Sequence, residues 1–267
     1  MSANVKPRGL LIDITLCTDC KSCMKACMAK QGFTGDPEKV NGLSATSYTY
    51  VAVTKEEANV RQLCRHCVKP SCASVCPVAA LRKTDLGPVI YDESRCIGCR
   101  YCMVACPMSV PRYEWNDATP AVRKCDMCHD RLAEGKPTAC AEACPNEATV
   151  SGTREELLAL ARKRIAESPD DYEDHVYGEH ELGGTSVLFL APRSLGMSLF
   201  PAGLGDQPLP ALTHRVLDKL PGVVVGGAAT LFAFWWITRR RDEVAAWKAG
   251  RAVERAPATG REVRDAQ

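Results

Sequence analysis

PVIYDESRCIGCRYCMVACP, residues 88–107, decides how the rest of this sequence is read. Its cysteines, Cys96, Cys99, Cys102 and Cys106, follow the spacing C-x2-C-x2-C-x3-C with a proline directly after. Steps of three residues turn successive thiols back toward one centre. The fourth, four positions on and stopped by Pro107, points away. The pattern suits a [4Fe–4S] cubane, with three thiolates from one loop and the fourth Cys sent to a neighbouring cluster. Val89–Tyr91, just upstream, reads as a short strand.

The same spacing recurs at Cys17, Cys20, Cys23 and Cys27 in LLIDITLCTDCKSCMKAC (10–27), again after a strand-like run, Leu10 to Ile14. Two gapped versions complete the set. QLCRHCVKPSCASVCP (62–77) holds Cys64, Cys67, Cys72 and Cys76, and RKCDMCHDRLAEGKPTACAEACP (123–145) holds Cys125, Cys128, Cys140 and Cys144. The C-x3-C ends read as short helices stopped at proline; Met28 takes the proline's place after Cys27. The order compact, gapped, compact, gapped argues for two copies of a two-motif unit, in tandem or with one inserted in the other.

All 16 Cys of the 267 residues fall in these four quartets, none after residue 144, so four [4Fe–4S] clusters would use every thiol. Disulfides are excluded because Cys three apart on a tight loop seldom have the Cα separation and Cβ directions of a bridge. Zinc modules pair two knuckles across a longer gap and do not crowd three Cys into seven residues. A formal charge of +2 gives no electrostatic footprint for nucleic acid. The sequence holds no catalytic Ser/His/Asp set, phosphate loop or pterin pocket signature, and His66 and His129, within motif loops, read as packing or tuning residues. Lys21, Arg65, Lys69, Arg95, Arg100 and Lys124 lie beside cysteines, where a positive charge favours a reduced cluster or simply meets solvent or a partner.

Beyond the cysteines, TREELLALARKRIAES (153–168) reads as an amphipathic helix, with Thr153 and Glu156 as a capping box. Residues 168–181 carry six acidic residues and no Lys or Arg, and read as a solvated loop or, in the alternative, as a docking surface for a basic partner. Between Lys219 and Arg239 lie 19 uncharged residues, LPGVVVGGAATLFAFWWIT. As a helix they span about 28 Å, close to the hydrocarbon thickness of a bilayer. Pro221 suits a first turn and Trp235 and Trp236 an interfacial belt. Gly222 and Gly226 form a GxxxG suited to a second membrane helix. Five Lys or Arg in the 15 residues after the segment, against two in the 16 before it, predict a cytoplasmic tail and a cluster domain on the opposite side. With no His in the segment, a bis-histidine haem has no ligands there. The stretch MSANVKPRGLLIDITLC carries no signal-peptide core or twin-arginine pair, so no export address is expected within it.

Through CTDCKSCMKAC, CRHCVKPSCASVCP, CIGCRYCMVACP and CDMCHDRLAEGKPTACAEACP the chain resembles the four-cluster ferredoxin-type electron-transfer subunits of membrane-bound molybdopterin or tungstopterin oxidoreductases and related hydrogenases. The resemblance covers roughly residues 10–190. It implies an α+β fold of two bacterial-ferredoxin-like two-cluster domains, an irregular extension and one C-terminal transmembrane helix. The implied boundaries are 1–150 for the double ferredoxin-like domain, with 61–110 inserted in it. A cap helix and docking extension would occupy 151–212, the membrane helix 213–240 and a cytoplasmic tail 241–267.

The resemblance also implies ligand exchange between motifs. One cluster would take Cys17, Cys20, Cys23 and Cys144, a second Cys27, Cys125, Cys128 and Cys140. A third would take Cys64, Cys67, Cys72 and Cys106, and a fourth Cys76, Cys96, Cys99 and Cys102. LIDITLC, GLSATSYT (42–49) and DHVYGEHELGGTSVLFL (174–190) look most like the β subunits of respiratory formate dehydrogenases, with the electron-transfer subunit of uptake hydrogenases similarly close. The implied role is non-catalytic. Electrons would enter from a formate-oxidising pterin-containing subunit, or in the alternative from a hydrogenase or another pterin-dependent enzyme, and leave to a membrane cytochrome b or quinone-reactive subunit. The implied location is a bacterial inner membrane, single-pass and with the clusters periplasmic, reached by travelling with a catalytic subunit that carries the twin-arginine signal. A free-standing multi-cluster ferredoxin or redox sensor is the remaining alternative, disfavoured by the membrane segment.

Overall fold

Backbone pairing begins where the apolar runs predict strands, and it follows the chain through every cysteine motif. The computed structural model describes residues 6–55, 57–115, 117, 120–195, 201 and 204–254, and divides into two units, 1–212 and 213–267. In the first unit β1 (Arg8–Asp13) leads to α1 (Ser22–Gln31), then to the antiparallel pair β2 (Thr49–Val53) and β3 (Asn59–Leu63). Next come α2 (Ser71–Ser74), the hairpin β4 (Leu81–Lys83) and β5 (Val89–Tyr91), and α3 (Tyr101–Val104). A short pair, β6 (Arg112–Tyr113) and β7 (Val122–Arg123), precedes α4 (His129–Ala133) and α5 (Ala139–Glu142). β8 (Thr149–Thr153), α6 (Arg154–Glu167) and β9 (Val187–Leu190) complete the alternation of helix and strand.

Leu10, Leu11 and Ile12 are all buried because β1 is the middle strand of a sheet ordered β8-β1-β9 and is covered on both faces. β8 runs antiparallel to it, with Leu11 opposite Val150; β9 runs parallel, with Ile12 opposite Phe189. One face packs Leu11 and Leu188 against Leu157 and Ala161 of α6. The other packs Leu10, Ile12 and Phe189 against Met127, Leu132 and Cys140, which carries the core up to the thiols. α1 packs on α5, and α2 on α3. The first and fourth motifs are thereby brought to one sheet, and the second and third to the β4–β5 hairpin, with 61–110 lying between the chain segments that build the first pair.

Two expectations change. Residues 151–212 hold the expected cap helix, and the extension after it is regular in part, because VLFL (187–190) is a strand of the main sheet and Thr185 bridges to Cys67. The amides of Ser186 and Val187 donate to the carbonyls of His66 and Arg65 (both 3.2 Å), so this segment backs the second motif. Nor is 168–181 simply a solvated loop. Tyr172 and Tyr177 are buried, and Tyr177 donates its hydroxyl to Glu173 (2.8 Å). His175 bonds Glu181 (2.7 Å), and Arg162 pairs with Glu179. Glu173, Glu179 and Glu181 are thus engaged locally, while Asp170, Asp171 and Asp174 are exposed. Asp13, fully buried at the end of β1, accepts from Arg164 (2.8 Å) and from the Tyr172 hydroxyl (2.9 Å). Sheet, cap helix and strap meet at that carboxylate.

The capping box on α6 is present in both directions, Thr153 accepting from the Glu156 amide (3.3 Å) and Glu156 from the Thr153 amide (3.0 Å). α7 (Leu209–Leu217) runs across the division at 212, and α8 (Leu220–Glu254) makes up most of the second unit. α8 is long and apolar enough to cross a membrane. Thr230 and Thr238 return their hydroxyls to the carbonyls of Gly226 (2.8 Å) and Phe234 (2.9 Å), so both donors are satisfied within the helix. The helix continues 14 residues past Arg240 as far as Glu254, beyond the expected end of the span, and Arg239 lies over the Trp235 ring (5.3 Å). Residues 255–267 of the expected tail, and 1–5 at the N-terminus, lie outside the described residues, as do 196–200, 202 and 203 of the extension.

Candidate metal centres

Each C-x2-C pair is shaped by one backbone device. The residue before the second Cys is left-handed in all four quartets: Asp19 (φ 53°), His66 (φ 48°), Gly98 (φ 68°) and Met127 (φ 55°). Such a turn curls the loop around a point and aims successive peptide N–H groups into it, making a concavity suited to an anionic centre. Three of these positions hold side-chain-bearing residues, at roughly 1–3 kcal/mol of strain each. Gly98 has a second reason to be glycine, since a Cβ there would stand 2.9 Å from the Tyr113 hydroxyl. The amide of Gly98 reaches the Cys96 sulfur (3.5 Å) and that of Met127 the Cys125 sulfur (3.3 Å); Ala80 does the same for Cys76 (3.2 Å). N–H···S bonds of this kind raise a cluster's potential by stabilising negative charge on sulfur.

The 16 thiols gather in fours. Cys17, Cys20, Cys23 and Cys144 line one cavity with Ile12, Val51 and Arg61. Cys76, Cys96, Cys99 and Cys102 line another with Leu81 and Val122. Cys64, Cys67, Cys72 and Cys106 lie within electrostatic range of one another, as do Cys27 and Cys125, Cys128 and Cys140. The groups also adjoin in sequence. Cys23 lies within electrostatic range of Cys140 and Cys125 within that of Cys64, and Cys72 packs in one apolar cluster with Cys76, Cys96 and Cys102. The line therefore runs from the set of Cys17 to that of Cys27, then to that of Cys64 and finally to that of Cys76. The two exposed thiols, Cys20 and Cys99, belong to the first and last sets.

Among the described residues no group of three or more His, Cys, Asp or Glu is gathered closely enough to hold a single metal ion. A cubane puts an iron atom between each sulfur and the centre, so its thiolates stand further apart than four around one zinc. All-sulfur donor sets, apolar walls and inward N–H groups fit such a cluster.

Burial dominates the thiol acidities, pushing Cys27, Cys67 and Cys72 up to about 12 and Cys102 and Cys128 to about 11. Cys125 is driven well up for the same reason. These thiols stay protonated at neutral pH until a metal displaces the proton, so metal binding is linked to proton release. Cys140 goes the other way. Burial raises it, but the charge of Arg61 and hydrogen bonds from Thr138 and Arg61 outweigh that and lower it.

Of the six basic residues flagged beside cysteines, Arg65 and Lys124 are buried against the thiols. Arg65 stacks over the Phe189 ring (3.9 Å), and burial brings it down to about 10 despite Cys64 and Cys67. Lys124 donates to the carbonyls of Val89 and Cys125, the latter at 2.8 Å. The others sit at or near the surface: Lys21 pairs with Glu38 (2.6 Å), Arg95 with Asp92 (3.4 Å), Arg100 leans on Tyr113 and Trp115, and Lys69 is exposed. His66 is buried with Nδ1 accepting from the Val89 amide (2.9 Å), and burial with Lys124 and Lys83 nearby keeps it neutral.

Two cations were not singled out from the sequence. Lys83 donates to the His66 carbonyl (2.8 Å) and the Ser186 hydroxyl (3.0 Å), and burial lowers it to about 8 while Cys67 and Cys64 oppose that. Arg61 is 2% exposed on β3, between the first two thiol sets.

A family model described as a 4Fe-4S dicluster domain matches residues 56–154. A protein of Nitratidesulfovibrio vulgaris is 39% identical over 268 residues, covering 95% of this chain and 72% of the relative. The hydrogenase-2 operon protein HybA of Escherichia coli O157:H7 is 38% identical over 226 residues, 68% of this chain and 69% of its own. The formate dehydrogenase-O iron-sulfur subunit of Escherichia coli K12 is 32% identical over 242 residues, 84% of this chain and 80% of its own.

Proposed function

Since the chain belongs to the ferredoxin-type iron–sulfur electron-transfer subunits of multi-subunit oxidoreductases, we propose that it relays electrons between a catalytic subunit and a membrane partner through four [4Fe–4S] clusters. The sixteen Cys would hold them in the four sets in which they gather. One observation carries this reading: the sets form a line, and an exposed thiol, Cys20 or Cys99, lies in each end set. Bound clusters supply reversible one-electron transfer; potentials and spacing are the protein's contribution. Buried thiols and the walls of Leu81, Val122 and Ile12 keep water from the donors, while the N–H groups and buried cations favour the reduced charge.

For the electron source, the higher identity to the hydrogenase relative, 38% against 32%, puts hydrogen oxidation ahead of formate oxidation, the order opposite to that suggested by the motifs. Formate stands as the second reading because the formate dehydrogenase relative aligns over more of the chain, 84% against 68%. In that case the catalytic partner carries a molybdo- or tungstopterin. Isolating the complex from membranes decides between them: hydrogen should reduce it, and reduction by formate alone, with pterin in the large subunit, overturns the order.

For location, α8 would cross the bacterial inner membrane once, with Arg239, Arg240 and Arg241 on the cytoplasmic side, the clusters on the periplasmic side and a cytochrome b or quinone-reactive subunit beside it. A reporter fused after Gln267 should be active only in its cytoplasmic form. Activity of a periplasmic reporter reverses the orientation.

A further inference from the structure

Arg61 lies where the first and second thiol sets meet. It lines the cavity of Cys17, Cys20, Cys23 and Cys144 and lies within electrostatic reach of Cys140 of the next set. Two hydroxyls from different sheets fix it, Nε donating to Thr49 (2.9 Å) on β2 and Nη1 to Thr149 (3.1 Å) on β8. A guanidinium does not deprotonate in proteins, and a buried charge without a counter-charge is strongly destabilising. These hydrogen-bond partners are hydroxyls, so the opposing charge falls to sulfur, that of Cys23 on one side and of Cys27 and Cys140 on the other.

We propose that Arg61 is the shared counter-ion of the first and second clusters, raising both reduction potentials and allowing both sites to hold an electron together. The proposal rests on the ligand sets given above. An electron arriving within either set adds one negative charge, with no bond made or broken. A fixed positive charge between the sets offsets part of that charge on both sides, and part of the repulsion between two electrons held at once. In a buried, low-dielectric site the effect is not screened as it is at the surface.

The test is an EPR-monitored redox titration of the isolated complex carrying Arg61→Gln and, separately, Arg61→Lys. With Gln, two of the four one-electron components should each become at least about tenfold harder to reduce, 59 mV for one electron, while the other two stay. With Lys, which keeps the charge, all four should stay within that tenfold. Four components present and none moved by Gln overturns the role of Arg61 while leaving the ligand sets intact. A wild-type chain with well under about 16 iron atoms counts against the ligand sets, and against the proposal with them. Where Gln fails to load, Lys decides: failure to load there as well makes Arg61 a structural strut and overturns the proposal.

Discussion

The two middle thiol sets and the two end sets use the same ligands in different surroundings. Around the middle, Cys64, Cys128 and Cys140 are buried, and Arg61, Arg65 and Lys124 are less accessible still. At the ends Cys20 and Cys99 are exposed, and the nearby cations Lys21, Arg95 and Arg100 are engaged with surface acids or aromatic rings. The last set also presents Ile97, Tyr101, Val104 and Trp115 to solvent, whereas among the described residues the first presents only Leu16 of its large apolar side chains, at 36%. Charge buried between the sets acts through a poorly screened interior and sets potentials; charge at the exposed ends is screened and acts on partners. The difference teaches that a cysteine motif specifies where a cluster sits, while residues far away in sequence set how readily it is reduced.

The largest effect that would sharpen this contrast comes from exchanging one ligand in each region. Cys140→Ser removes one of the three sulfurs that oppose the buried Arg61 guanidinium, and breaking a buried pair costs up to about 3–5 kcal/mol. Iron should fall by more than one cluster's worth, and the protein should melt well below wild type. Cys99→Ser, at an exposed end, should alter one cluster and leave the melt nearly unchanged. Equal losses from the two variants, measured by iron assay and thermal unfolding, would break the distinction. Next in size is Arg164→Ala, which removes the partner of the buried Asp13 carboxylate and should cost about 3 kcal/mol by denaturant titration. Arg164 is bonded to Asp13 and to the Glu147 carbonyl rather than to a thiol or to Arg61, so the redox components of the folded variant should stay in place. The smallest effect belongs to Arg100→Glu. Reversing an exposed charge should lower the potential of the last set by less than tenfold, and added salt should erase the shift. A shift as large as that for Arg61→Gln and insensitive to salt would contradict the comparison.

Much of this was legible because cluster ligands are local in sequence. The quartets, the strands at Leu10–Ile14 and Val89–Tyr91 and the capping box at Thr153 all follow from spacing over a few residues. Even the missing proline had structural content. α2, α3 and α5 stop after four residues, ahead of Pro77, Pro107 and Pro145, whereas α1, with Met28 in that place, runs on to Gln31 and ends at Gly32 in a left-handed cap. VLFL at 187–190 carried a readable signal too, a short continuous apolar run typical of a strand buried on both faces. Tyr172 and Tyr177 likewise marked the acidic strap as packed. Arg61 and Lys83 left no comparable trace. In NVRQL, residues 59–63, an arginine reads as a solvent-facing strand residue, and only tertiary contact with Thr49, Thr149 and Cys140 gives it a role.

Iron and zinc measured per chain in the anaerobically isolated complex test the central claim most directly, with the catalytic subunit's own metals counted separately. Four cubanes on these sixteen thiols predict about 16 iron atoms, matched by acid-labile sulfide, and no stoichiometric zinc. Iron near half that value, or zinc in its place, would contradict it.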